Sequence, residues 1–262
     1  MDRNHPTLRE RIGDAARRLH TGAASTAVGI VRNLASALRG FGGGVGALVT
    51  GDVRQGFSGI GLSAVVVLQT PIDALLMAGG AVVSALQTLL GLEPPGRELT
   101  ATELAILREV YGTSIDFGRI RIKEGTAGLL TLPNRPFTHG DTIYVPRPWL
   151  PITTRLLVHE AAHVWQHQNG GTDYMSESLF AQYLGDGYDY AKALRQGKQW
   201  TDLNPEQQAE VIEAAFSRNL FRDPDARFIE DDTDYTDRLR PMLAEMRAGR
   251  GLPRGRNPRA SS

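Results

Sequence analysis

The sequence predicts an α+β protein, in which a compact metal-binding domain follows a mainly helical N-terminal region. Three observations predict it. The run Leu156-Leu157-Val158-His159-Glu160-Ala161-Ala162-His163-Val164-Trp165-Gln166 carries His-Glu-x-x-His inside a helical pattern. Shortly before it, Asp141-Thr142-Ile143-Tyr144-Val145 reads as a strand closed by Pro146 and Pro148. The first 93 residues are dominated by helix-forming and apolar stretches.

Composition narrows the function. Lys+Arg 29 balances Asp+Glu 29 in 262 residues, so no overall field draws the chain to nucleic acid. With no cysteine, disulfides and thiolate metal ligands are excluded. Met1 to His20 is charged throughout and lacks the apolar core of a Sec signal. The expectation is cytoplasmic synthesis, with non-Sec export or membrane association as the alternatives.

Residues 7 to 39 read as one or two amphipathic helices, with Leu8, Ile12, Ala15, Ala16 and Leu19 at helical spacing. Gly40 to Gly46 reads as a flexible break. Phe57 to Leu92 is apolar, with Asp73 its only charge, and Pro71 is expected to divide it into two arms. The second arm approaches the ~20 apolar residues that cross a bilayer. Three readings stay open for 57–92: a hairpin packed on the following domain, an oligomer-forming surface, or a membrane-contacting segment. Packing or oligomerisation is preferred, because Gly79-Gly80-Ala81 suits close helix contact.

Glu93-Pro94-Pro95-Gly96-Arg97 reads as a linker, dividing a 1–93 region from a 97–246 domain. Thr100-Ala101-Thr102-Glu103 is a capping box opening a helix through Val110. Ile115 to Ile122 alternates as a half-buried strand, Gly125 to Pro136 is loop with a short strand at 129–132, and Asp141 to Val145 is expected at a sheet edge. An exposed edge beside a metal site can hold an extended peptide by main-chain hydrogen bonds. Thr153 or Thr154 caps the motif helix, and Asn169-Gly170-Gly171 stops it.

The motif itself points to chemistry. Residues four apart share a helix face, so His159 and His163 can direct ring nitrogens at one metal ion. Glu160, one step round, can reach a water on that metal as general base. The implied cofactor is zinc. Two hydrogen-bonded histidines on a buried helix are the bland alternative.

Phe137-Thr138-x-Gly140-Asp141-x-Ile143-Tyr144 followed by Leu156-Leu157-x-His159-Glu160-x-x-His163-Val164-x-Gln166 resembles the metallopeptidase core domain associated with bacterial extracellular contractile injection systems. A nearer resemblance is to the bacterial Vgr-related proteins, which share a segment like Leu86 to Pro94. The resemblance covers about Leu99 to Phe216. It implies a zincin-like fold and a secretion-associated setting, with a peptide or protein as substrate.

A third ligand is expected from the helix opened by Asn204-Pro205, where Glu206, Glu210 and Glu213 share a face. Glu206-x-x-Ala209 resembles the Glu-x-x-Ala of zincins that use a glutamate ligand. Glu206 is therefore the first candidate, ahead of Glu210 and Glu213, although carboxylates on a helix are also normal on a solvated face. His139 before the strand, and Tyr188 and Tyr190 after the motif helix, are candidates for the cleft or for stabilising a transition state. The acidic cluster Glu230, Asp231, Asp232, Asp234 and Asp237 reads as a solvated loop, and 247–262 as a disordered basic tail. The leading function is zinc-dependent hydrolysis of peptide bonds. The alternatives are a non-catalytic structural or docking component of a secretion apparatus, or a membrane-inserting effector.

Overall fold

In the computed structural model, residues 6–125, 134–170 and 189–252 are described. Helix α1 (Leu8–Val49) and helix α2 (Val53–Leu89) form a long antiparallel hairpin. A capping box between Thr7 and Glu10 starts α1, and the Asp52 carboxylate accepting from Gln55 N starts α2. Neither expected break exists. The glycines of 40–46 remain helical, and two of them, Gly40 and Gly44, serve packing: a Cβ on Gly44 would lie 2.8 Å from Gly56 O. Pro71 removes one intrahelical donor, yet α2 runs through it while lying against α1.

The hairpin is joined to the sheet by buried polar contacts. Lys123 Nζ is fully buried, 2.5 Å from Glu93 Oε1 and 2.9 Å from Asp14 Oδ2. Arg18 donates to Thr142 Oγ1 at 2.7 Å and to the Tyr144 hydroxyl, and Tyr144 in turn donates to Ser84 Oγ at 2.9 Å. The 94–97 connection is therefore a boundary in the chain but not in the packing. One expected reading of 57–92, packing on the domain, is met by the C-terminal half of α2.

After the Thr100 capping box comes α3 (Ala101–Tyr111). The alternating run from Ile115 forms a strand only at its end, β1 (Arg121–Glu124). Asp116 accepts from Gly118 N and turns Phe117–Arg119 into a 3-10 helix instead. Strands β2 (Phe137–His139) and β3 (Thr142–Val145) complete a sheet ordered β1-β3-β2, with β1–β3 parallel and β2–β3 antiparallel. The strand expected at the edge is thus the central one: all four β3 residues are buried and pair with β1, and Thr142, Ile143 and Tyr144 also pair with β2. Among the described residues the edge beside the motif helix is β2. The expected strand at 129–132 lies outside the described residues.

Helix α4 (Thr154–Gly170) carries the motif and is buried from Leu157 to His167. Thr153 Oγ1 accepts from Leu156 N and caps its start. Short α5 (Tyr190–Arg195) leads to α6 (Pro205–Ser217), capped by Asn204 and Gln207 with Pro205 at the first helical position. Ala161, Ala162 and Ala209 are wholly buried small residues, which lets α4 and α6 approach closely.

The acidic stretch is a hairpin rather than a loop. β4 (Ile229–Glu230) and β5 (Thr233–Asp234) pair across Asp231 and Asp232, both at positive φ as a two-residue primed turn requires. Helix α7 (Thr236–Arg247) closes the core, where Trp165 Nε1 donates to Met246 O at 2.9 Å. Residues 248–252, expected in the tail, are ordered against the domain. Gln208 Nε2 donates to Gly251 O at 3.0 Å, and Leu252 packs on the core. The rest of the tail lies outside the described residues.

Candidate metal centre

Three side chains from α4 and α6 converge as expected. His159 and His163, one turn apart, direct Nε2 atoms at Glu206 Oε2, at 3.6 and 3.4 Å. Ligand atoms about 2.0–2.1 Å from a tetrahedral zinc lie about 3.3–3.4 Å from one another. The two separations are those of tetrahedron edges, and the donor set of two imidazoles and one carboxylate is a zinc set. The residues fit the metal.

Outer partners fix both rings. His163 Nδ1 lies 2.9 Å from Gln166 Oε1, while Gln166 Nε2 donates to Pro205 O at 2.9 Å. That amide orientation keeps a proton on Nδ1, so the neutral form of the ring would present its Nε2 lone pair toward Glu206. On the other ring, His159 Nδ1 lies 3.2 Å from Glu213 Oε2, giving the same tautomer. Such outer acceptors are a regular feature of histidine ligands. Arg155 in turn donates to Glu213 at 2.8 Å. The motif spacing does not reveal these partners. Gln166 carried a signal only as part of the resemblance, and Glu213 was weighed as a ligand rather than as a ligand's partner. Glu210 and Glu213 also form a looser group with His159.

Glu160 is buried next to this centre. Thr138 of β2 donates to its Oε2 at 2.8 Å. Burial raises its carboxyl above the ordinary carboxylate value, with the His163 and His159 rings and the Thr138 hydroxyl opposing. Glu206 goes the other way: burial would raise it, but His163 and His159 hold it well below the usual range. Burial alone would lower His159, yet Glu206 and Glu213 outweigh it and lift it to about 10. Among protein groups alone, Glu206 is compensated by protonated rings, and Glu213 by the His159 ring and Arg155. A dication would supply the same compensation with both rings neutral.

The remaining candidates sit elsewhere. His139 is buried on β2 with Nε2 3.3 Å from Leu76 O of α2, so it faces the hairpin and not the cleft. Strand alternation explains this: Thr138 takes the face toward Glu160, and His139 takes the other. The Tyr190 hydroxyl donates to Glu230 at 2.7 Å, which commits it to the β4–β5 hairpin. Tyr188 lies outside the described residues. His167, next turn along α4, is hydrogen-bonded to Ser25 Oγ of α1 at 3.0 Å.

No protein-family model matches the chain, and no solved structure matches it. In part, the chain is similar to a curated protein, the type VI secretion system spike protein VgrG2b of Pseudomonas aeruginosa. The two are 30% identical over 145 residues, which take in 50% of this chain and 14% of that protein.

Proposed function

We propose that this chain is a zinc-dependent, zincin-like metallopeptidase that acts as part of, or is delivered by, a bacterial secretion apparatus. The observation that carries the chemistry is the convergence of His159 Nε2, His163 Nε2 and Glu206 Oε2, with each Nδ1 held by an outer acceptor. The partial similarity to a spike protein supports the setting.

Zinc held by His159, His163 and Glu206 would supply Lewis acidity toward a water and toward the carbonyl of a peptide bond. The chain's own groups do the rest. Glu160 accepts a proton from the attacking water at its carboxylate and passes it to the leaving amine as the C–N bond breaks. Burial raises its proton affinity above that of an ordinary carboxylate, the direction that acid–base work at this position calls for. Glu213 and Gln166 hold the two rings in the tautomer that presents Nε2. Strand β2, carrying Thr138 beside Glu160, offers its backbone to an extended peptide.

The test is elemental analysis with peptide cleavage on parent and Glu160→Gln. The parent is expected to hold one zinc and cleave a broad peptide library. The variant should keep zinc and fold while losing about 10²–10⁴-fold in rate. Failure to take up zinc on titration defeats the proposal. Zinc without cleavage would favour a second reading, a docking component with a structural site, which the spike-protein similarity also supports.

A further inference from the structure

α2 is the one helix among the described residues that is long and apolar enough to cross a membrane, judged by length and composition. Only 25% of its most apolar window is buried, so it is not the core helix of a globular domain. Its inner face packs on α1 and, through Ser84, Thr88 and Gly80, on the sheet. Its outer face is a continuous stripe at helical spacing: Phe57, Leu68, Ile72, Leu75, Val82 and Leu86 are all exposed. Between Gln55 and Leu92 the sole charged residue is Asp73, and it is buried.

We propose that this stripe is a docking surface for an anionic lipid bilayer, with α2 lying in the plane of the interface. Charge selects the occupant. From Leu8 to Leu92 the exposed or half-exposed ionised side chains are Arg9, Arg11, Arg17, Arg32, Arg39 and Arg54 against Glu10 and Asp52. The surplus is carried by α1 and the first turn of α2, so anionic headgroups attract the hairpin that bears the stripe, whereas a second copy would bring a like-charged hairpin. The stripe also holds no polar side chain that would set a register between two proteins. Lipid needs none.

The hairpin register decides between lying and spanning. Gly22 meets Ala81 and Gly40 meets Ser63, which puts the exposed Arg32 level with Pro71, the middle of α2. A spanning α2 would carry Arg32 to the centre of the hydrocarbon, where a guanidinium is strongly disfavoured. The helix is also about 55 Å long, well beyond the ~30 Å hydrocarbon core. Lying flat buries the stripe without carrying Arg32, which donates to Asn169 O at 2.9 Å, into the hydrocarbon. Along α2, Thr70 donates to Val66 O at 2.7 Å and Ser63 to Gly59 O at 2.8 Å, so these two hydroxyls are satisfied within their own helix.

The experiment is cosedimentation of the full chain with vesicles of phosphatidylcholine alone or mixed with phosphatidylglycerol, at low and high salt. The chain is expected to bind the mixed vesicles, with binding weakened by salt and by removing phosphatidylglycerol. Leu68→Glu with Leu75→Glu should reduce binding more than about tenfold, because two carboxylates then face acyl chains. Both positions are 72% exposed, so circular dichroism should show the fold kept. The proposal is overturned if parent chain stays with the supernatant in every mixture, or if the double variant binds as well as the parent. It is also overturned if the chain self-associates in solution through this stripe and ignores vesicles.

Discussion

His159 Nδ1 stands 3.2 Å from Glu213 Oε2, while its Nε2 faces Glu206 two helical turns back on the same helix. In the proposed zinc site one helix, α6, would thus supply both a ligand and the group that orients another ligand. The two glutamates should separate by measurement. Glu206→Ala removes a donor and should nearly abolish zinc binding in competition with a chelator. Glu213→Ala should weaken it about 10–100-fold, the usual effect of losing an outer partner. Equal losses at the two positions would assign Glu213 to the metal as well.

Gln166 has two tasks, orienting His163 and bridging α4 to α6 through Pro205 O. Gln166→Leu keeps the volume and removes both. Zinc affinity should fall about 10–100-fold. The unpaired Pro205 carbonyl should also cost about 1–3 kcal/mol in denaturant unfolding with chelator present. A stability loss without an affinity loss would mean that the bridge matters and the ring orientation does not.

Much of this centre was legible in the sequence because its geometry is local. His159, Glu160 and His163 lie within one turn of a helix whose caps and periodicity are explicit. Glu206 followed from a helix start and a resemblance. What was not legible depends on packing between distant segments. The sheet order turned the expected edge strand into the central one, and Phe137–His139 was too short to declare itself. The glycines of 40–46 look like a break in isolation, and only the opposing Gly56, Gly59 and Ser63 show why Gly40 and Gly44 are there. His139 reads as a cleft residue until strand alternation assigns that face to Thr138. The buried Lys123 gave no sign that its partners, Asp14 and Glu93, come from the N-terminal region.

That last cluster tests how tightly hairpin and domain are joined. Glu93 accepts from Lys123, from Ser84 Oγ at 2.5 Å and from Gln87 Nε2 at 3.2 Å, all out of water. Glu93→Ala leaves the ammonium with less compensation in the interior and should destabilise the chain by about 3–5 kcal/mol. Arg222→Ala, which loses an exposed pair with Glu109, should cost far less. Similar costs for the two would mean that the interface opens readily and lets water reach Lys123.

The pH dependence of stability should carry a mark of His139. Burial, and then the nearby Arg18 guanidinium, lower its pKa from 6.5 to about 3. The unfolded chain therefore binds this proton more readily than the folded one, so its contribution is complete above pH 6.5 and lost as pH falls toward 3. Between pH 6.5 and 5 the loss is about 1.5 kcal/mol. His139→Gln should flatten the parent's slope by that amount in urea unfolding over this interval, where other groups titrate alike in both proteins. Parallel slopes would show that the ring is protonated or hydrated in the fold.

Thr138 is the test of whether β2 serves the proposed reaction or merely packs. Its hydroxyl donates to Glu160 Oε2 at 2.8 Å and holds the carboxylate against the strand that would receive the peptide. It has one proton to give, and Glu160 O at 3.1 Å is a weaker second acceptor. Thr138→Val preserves the β-branched shape that suits the strand and removes the donor. Zinc affinity should stay within about twofold, because no metal ligand touches this residue. Turnover of a cleaved peptide should fall by about tenfold, the worth of one hydrogen bond to a charged group. Thr138→Ser, which restores the hydroxyl, should recover most of the rate. Loss of zinc in Thr138→Val would instead make the residue a support for α4. An unchanged rate with zinc retained would leave Glu160 positioned by its own helix alone.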